Sequence, residues 1–224
     1  MPDRALTIRS TGGRVAAVAW FVFAVLNLLD LAFNLTGKGG PHYTVTSATI
    51  AVLLLLGCGI AYVAGLRPAI IGDAEAVTIR NPLRDVWAPW RAVREIQGTH
   101  AVIVQFAGPD GAELKARAWV HQTSPRAQAK AEARARRDEQ HSKVPGAQLK
   151  GRTPAVYAAQ QLNEIRDRNR PRTRSGAPDK AAAAKAAGDA TPARGAITWS
   201  IPALASLAVP CVLLVVLGVV AALN

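Results

Sequence analysis

Three long apolar stretches, residues 15–33, 46–66 and 197–223, bracket one strongly basic polar segment of about 130 residues. Each stretch is close to the roughly 20 residues that a helix needs to cross the hydrocarbon core of a bilayer. Backbone in lipid must satisfy its own N–H and C=O groups, so each is expected to be a helix. The intervening segment is too polar for lipid and is expected to form one small domain of ordinary size at the membrane surface. Cys58 and Cys211 both fall inside apolar stretches, a placement that argues against a structural disulfide or a cysteine zinc site. The first stretch is longer than a signal-peptide core, and Asn34, Leu35 and Thr36 follow it with no small-x-small cleavage pattern, so a retained helix is expected.

Basic residues near the ends of the stretches set the expected orientation. Arg4, Arg9 and Arg14 precede the first, whereas the connector to the second holds only Lys38. Arg67, Arg80 and Arg84 follow the second, and Lys180, Lys185 and Arg194 precede the third. The positive-inside rule then puts residues 1–14 and the large segment in the cytoplasm, and the connector 36–45 and the C-terminus outside. The layout is a multi-pass plasma-membrane protein with spans at 15–35, 46–66 and 197–223. The large segment carries 23 of the 27 basic and 13 of the 15 acidic residues, a net charge of +10. Inner-leaflet anionic lipid is the partner that this sign favours. Nucleic acid is not expected, because the basic runs contain few aromatics on which bases could stack.

Within the segment, residues 69–120 read as short strands. Ala69-Ile70-Ile71 and residues 76–80 flank the turn Gly72-Asp73-Ala74-Glu75, and Asn81-Pro82-Leu83-Arg84 makes a second turn before a strand at 85–88. Trp90, Val93 and Ile96 are spaced as a single helical turn leading into another strand. Runs at 101–107 and 113–120 flank Gly108-Pro109-Asp110-Gly111, a hairpin composition. Residues 126–140 favour helix by propensity but lack large apolar side chains. Arg126, Lys130, Arg134 and Arg137 would share one face there. A second helix starts at Thr153-Pro154 and lines Ala155, Ala158, Ala159, Leu162 and Ile165 on one side. Residues 171–196 read as a flexible basic linker.

Two spans followed by short strands and one capping helix resemble the bacterial PH-like membrane proteins of actinobacteria. The matching residues are Thr78-Ile79-Arg80-Asn81-Pro82-Leu83, then Pro89-Trp90 with Val93 and Ile96, then the helix at 153–169. The resemblance implies an α+β membrane protein: three transmembrane helices plus a PH-like antiparallel β-barrel or sandwich over residues 67–170, closed by its C-terminal helix. The basic insertion 122–152 and the third span depart from that pattern. Phosphoinositide recognition, which PH domains place in basic residues of the first hairpin loop, does not carry over, because Gly72-Asp73-Ala74-Glu75 is acidic.

Candidate sites are few. No glycine-rich phosphate loop, nucleophile elbow or carboxylate pair is present, and His42, His100, His121 and His141 lack metal-ligand spacing. Catalysis, a metal and a cofactor are therefore not expected. Asp30 is the one formally charged residue inside a span and forms a polar stripe with Asn27 and Asn34. It either reaches the interface or bonds a neighbouring helix, fixes a homo-oligomer, or serves a proton- or ion-linked role. Partner or lipid contact is expected at Arg84, Trp87 and Arg91 and along Arg126, Lys130, Arg134 and Arg137. The functional expectation is a protein-interaction or scaffold module with an unidentified protein partner. The alternative is sensing or clustering of anionic lipid through the basic insertion.

Overall fold

The structure, a computed structural model, describes residues 6–35, 44–120, 154–169 and 193–223. Its elements run β1 (Leu6–Arg9), α1 (Thr11–Phe33), α2 (Val45–Ala61, extended by a π-helical turn Tyr62–Leu66), β2 (Ala69–Gly72), β3 (Ala76–Arg80) and β4 (Arg84–Pro89). They continue through β5 (Val93–Gly98), β6 (Val102–Ala107), β7 (Glu113–Arg117), α3 (Pro154–Arg168), β8 (Ala196–Trp199) and α4 (Ile201–Leu223). The chain divides into a β-rich unit (Met1–Arg9, Ala69–Asn81, Asp85–Thr198) and a helical unit (Ser10–Pro68, Pro82–Arg84, Trp199–Asn224).

The helical unit holds three helices of 22 or 23 residues, each long and apolar enough to cross a membrane. Their ends are chemically marked. Ser10 caps α1 by accepting from the Gly13 N–H at 3.3 Å. Thr44 and Ser47 form a reciprocal capping box at the start of α2, satisfying donors that a helix start would otherwise leave open. α2 packs against both α1 and α4, and glycines make both contacts close. A Cβ at Gly65 would lie 2.7 Å from the Ala17 Cβ, and one at Gly59 would overlap the backbone carbonyl of Ser206. Gly57 sits under the Trp20 ring. Small residues of this kind let apolar helices approach where hydrophobic burial gives no drive.

The β-rich unit is built from two sheets, ordered β1-β2-β3-β4-β8 and β5-β6-β7. Alternation decides which side chains turn inward: in β6, Val102, Val104 and Phe106 are buried and Ile103, Gln105 and Ala107 less so. Ile70, Ile79 and Val86, paired across β2, β3 and β4, supply the facing core. Helix α3 closes this core with Ala155, Ala158, Ala159 and Leu162. Gly98 permits the approach, since a Cβ there would stand 2.6 Å from the Ala155 carbonyl and the Val156 Cα.

Several expectations are revised by this architecture. The α+β class with antiparallel sheets stands as expected; of the alternatives barrel or sandwich, the described strands form two sheets and no closed barrel. Leu6–Arg9, placed by sequence in an N-terminal tail, is a strand paired antiparallel with β2. Ile197, Thr198 and Trp199, placed in the third span, complete β8, and the helix begins only at Ile201. The helical spacing of Val93 and Ile96 has another origin. Val93 pairs with Phe106 and Glu95 with Gln105, so Arg94 is an extra, bulged residue. A bulge returns both Val93 and Ile96 to the core although they are three apart. The strands expected at 69–71, 76–80, 85–88 and 101–107 and the helix expected from Thr153-Pro154 stand within a residue of those bounds, whereas the run 113–120 is strand only to Arg117.

Asn81 joins the two sheets. Its Nδ2 donates to the Arg117 carbonyl at 2.9 Å and its Oδ1 accepts from the Trp119 N–H at 2.8 Å. One amide thus mimics a strand's donor and acceptor between the end of β3 and the end of β7. Asn81→Ala is expected to lower stability by about 1–2 kcal/mol, at roughly 1 kcal/mol per hydrogen bond. Asn81→Asp keeps the acceptor for Trp119 but sets a carboxylate oxygen against the Arg117 carbonyl, so it should cost at least as much as Asn81→Ala. Denaturant unfolding of the full chain in micelles measures both.

Candidate interaction surfaces

The β2–β3 turn is the first surface to weigh, because it carries two acidic residues, Asp73 and Glu75, in a net-basic segment. Here Asp73 Oδ1 accepts from the Glu75 and Ala76 N–H groups at 2.8 and 2.7 Å. The Trp90 indole donates to the Asp73 carbonyl at 2.9 Å, and the Trp90 N–H to the Glu75 carbonyl at 3.0 Å. The Asp73 carboxylate is therefore engaged in holding the loop's shape, and Trp90 is a core residue that clasps the loop.

Trp87 behaves differently. It occupies an outward position of β4 between buried Val86 and Ala88, and its side chain is 48% exposed. Across the outward face, Thr78 is its partner on β3 and Ile71 the next on β2. Arg91 lies in the turn that follows, also exposed. Trp119, half exposed just beyond β7, was not singled out by sequence; its place after a strand of alternating pattern was the available signal. Arg126, Lys130, Arg134 and Arg137 lie outside the described residues, as do His42, His121 and His141.

Arg84 belongs to the helical unit, with the loop Pro82–Arg84. Three contacts hold that loop. Arg67 Nη1 donates to the Pro82 carbonyl at 3.2 Å, the Ser200 N–H donates to the Leu83 carbonyl at 2.9 Å, and the Arg84 guanidinium lies 4.2 Å above the Trp199 ring. Sequence placed Arg84 in the turn before the strand at 85–88 and Trp199 inside the third span; the fold brings them together.

The polar stripe of α1 resolves into separate local roles. Asn27 Nδ2 donates to the Phe23 carbonyl of its own helix at 2.8 Å. Asn34 takes the left-handed conformation (φ 50°) and its N–H closes the helix on the Asp30 carbonyl at 2.7 Å. Asp30 is half-buried and stands three residues from the last residue of α1, about 4.5 Å along the axis. That is near the end of the apolar helix rather than at its middle. Nearby, a recess of about 490 Å³ is lined by Leu28, Leu31, Val45, Ala48 and Leu217. The Thr44 and Ser47 hydroxyls on its rim are engaged in the capping box, which leaves it an apolar hollow.

No family model, curated protein or solved structure matches the chain.

Proposed function

We propose that the protein is a membrane-anchored interaction module, in which a PH-like unit on the cytoplasmic face docks a protein partner without catalysis. The observation that carries this reading is Trp87, a large apolar side chain held outward on β4 while the core beneath it is complete without it. Tryptophan and arginine dominate the energetics of protein interfaces, and Arg91 stands in the turn that ends this strand. β8 is the outer strand on that side of the sheet among the described residues, and an exposed edge is the usual place for an added peptide strand. The PH-like reading is supported by a five-stranded sheet in which β1 to β4 pair antiparallel, a three-stranded sheet, and a helix packed on both β5 and β6. Basic residues at 67, 80 and 84 support the cytoplasmic orientation.

Crosslinking the full chain in native membranes tests the reading. A stoichiometric protein adduct is expected, at least tenfold weaker with Trp87→Ala and unchanged when residues 124–152 are deleted. An adduct indifferent to Trp87→Ala removes this docking face. Recovery of anionic lipid alone, dependent on residues 124–152, replaces the module with the electrostatic reading of the insertion.

A further inference from the structure

The loop Pro82–Arg84 is gripped at one end of the helical unit, and that end carries more than a structural role requires. α2 and α4 are each apolar over 22 and 23 residues, about 33–35 Å at 1.5 Å per residue. The hydrocarbon core is about 30 Å thick, so residues at the helix ends fall at headgroup level. Arg67 directly follows the last turn of α2, and Trp199 directly precedes the Ser200 cap of α4. The contact of Gly13 with Gly65 brings the start of α1, with exposed Arg14, to the same end. Trp199 is 55% exposed, and an indole at this depth is the side chain that interfaces favour.

The Arg84 guanidinium sits over this indole, and no carboxylate is paired with it among the described residues. A guanidinium held by its face on a ring keeps its in-plane N–H donors for an oxyanion. We propose that Arg84, oriented by Trp199 and supported by the charge of Arg67 and Arg14, binds the phosphodiester of an anionic lipid headgroup. Trp199 ends β8, the strand that also offers the docking edge, but the site uses neither Trp87 nor any residue of the basic insertion, and it fixes the depth of the loop at the membrane surface.

Native mass spectrometry of the full chain, released from micelles of equal phosphatidylglycerol and phosphatidylcholine, tests this. The unaltered protein is expected to retain phosphatidylglycerol preferentially, and Arg84→Gln to lower that preference about fivefold, the effect of one basic residue near an anionic surface. Trp199→Leu, which keeps the charge and removes the platform, should lower it about two- to threefold. Neutralising Arg126, Lys130, Arg134 and Arg137 together should leave the Arg84-dependent part intact. Equal retention of the two lipids, or unaltered preference in both Arg84→Gln and Trp199→Leu, overturns the proposal. Displacement of the lipid by excess inorganic phosphate overturns it too, since the site would then serve free phosphate. None of these readouts involves a protein partner, so failure here is distinct from failure of the docking reading.

Discussion

Phe106→Ala is expected to lower the stability of the β-rich unit by about 4 kcal/mol, within the roughly 3–5 kcal/mol range for emptying a buried phenylalanine site. Phe106 is fully buried on β6, the central strand of its sheet, between Val93 on β5 and Leu114 on β7. Its ring also abuts Gly195, whose N–H donates to the Ala107 carbonyl at 2.8 Å. The cavity left by truncation would thus be walled by hydrogen-bonded backbone, which cannot collapse inward as free side chains can. Phe106→Leu fills most of the space and should cost about 1–1.5 kcal/mol. Denaturant unfolding of the full chain in micelles, followed by tryptophan fluorescence, reads both; a loss below about 1 kcal/mol for alanine would show that the site relaxes.

Gly59→Leu should have an effect of similar size in the helical unit, about 3 kcal/mol or more. What a side chain at Gly59 meets is the Ser206 carbonyl. Pro210, buried inside α4, lies four residues on and has no N–H to offer that carbonyl. The bare Cα of Gly59 approaches the oxygen that proline has left open, a place for a weak Cα–H···O contact. Backbone cannot rotate aside, so even Gly59→Ala should separate α2 from α4. Gly57→Ala is the informative contrast, because the group it meets is the Trp20 side chain, which can turn. Thermal unfolding in micelles should find Gly59→Leu the most destabilised, Gly59→Ala next and Gly57→Ala the least. Equal loss for Gly59→Ala and Gly57→Ala would mean that the carbonyl contact carries no special weight.

Much of this fold was legible because its signals are local. Gly72-Asp73-Ala74-Glu75 and Gly108-Pro109-Asp110-Gly111 announce turns by residue chemistry, and the structure closes hairpins at both, with Gly111 at φ +78°. Leu162 and its alanine neighbours announce a buried helix face by spacing. What sequence missed depends on partners distant along the chain. β1 is four residues whose strand character appears only once β2 lies beside it. Ile197 and Trp199 are apolar and run on into α4, so hydropathy has no means of separating strand from span there. Asn81 reads as a turn residue, and its clasp on Arg117 and Trp119 is set by the meeting of two sheets. Of the candidate surfaces, the outward position of Trp87 followed from alternation, while the pairing of Arg84 with Trp199 did not.

The composition of the five-stranded sheet bears on how the protein is made. Its outer strands, β1 and β8, lie far apart along the chain, one just ahead of α1 and the other just ahead of α4. A ribosome delivers Leu6 long before Trp199, so the β4 edge beside β8 stays uncovered while everything between them is synthesised. An open edge bearing Trp87 is the kind of surface that chaperones and proteases act on. Nascent chains therefore advertise whether β8, the strand that leads into α4, has yet been made.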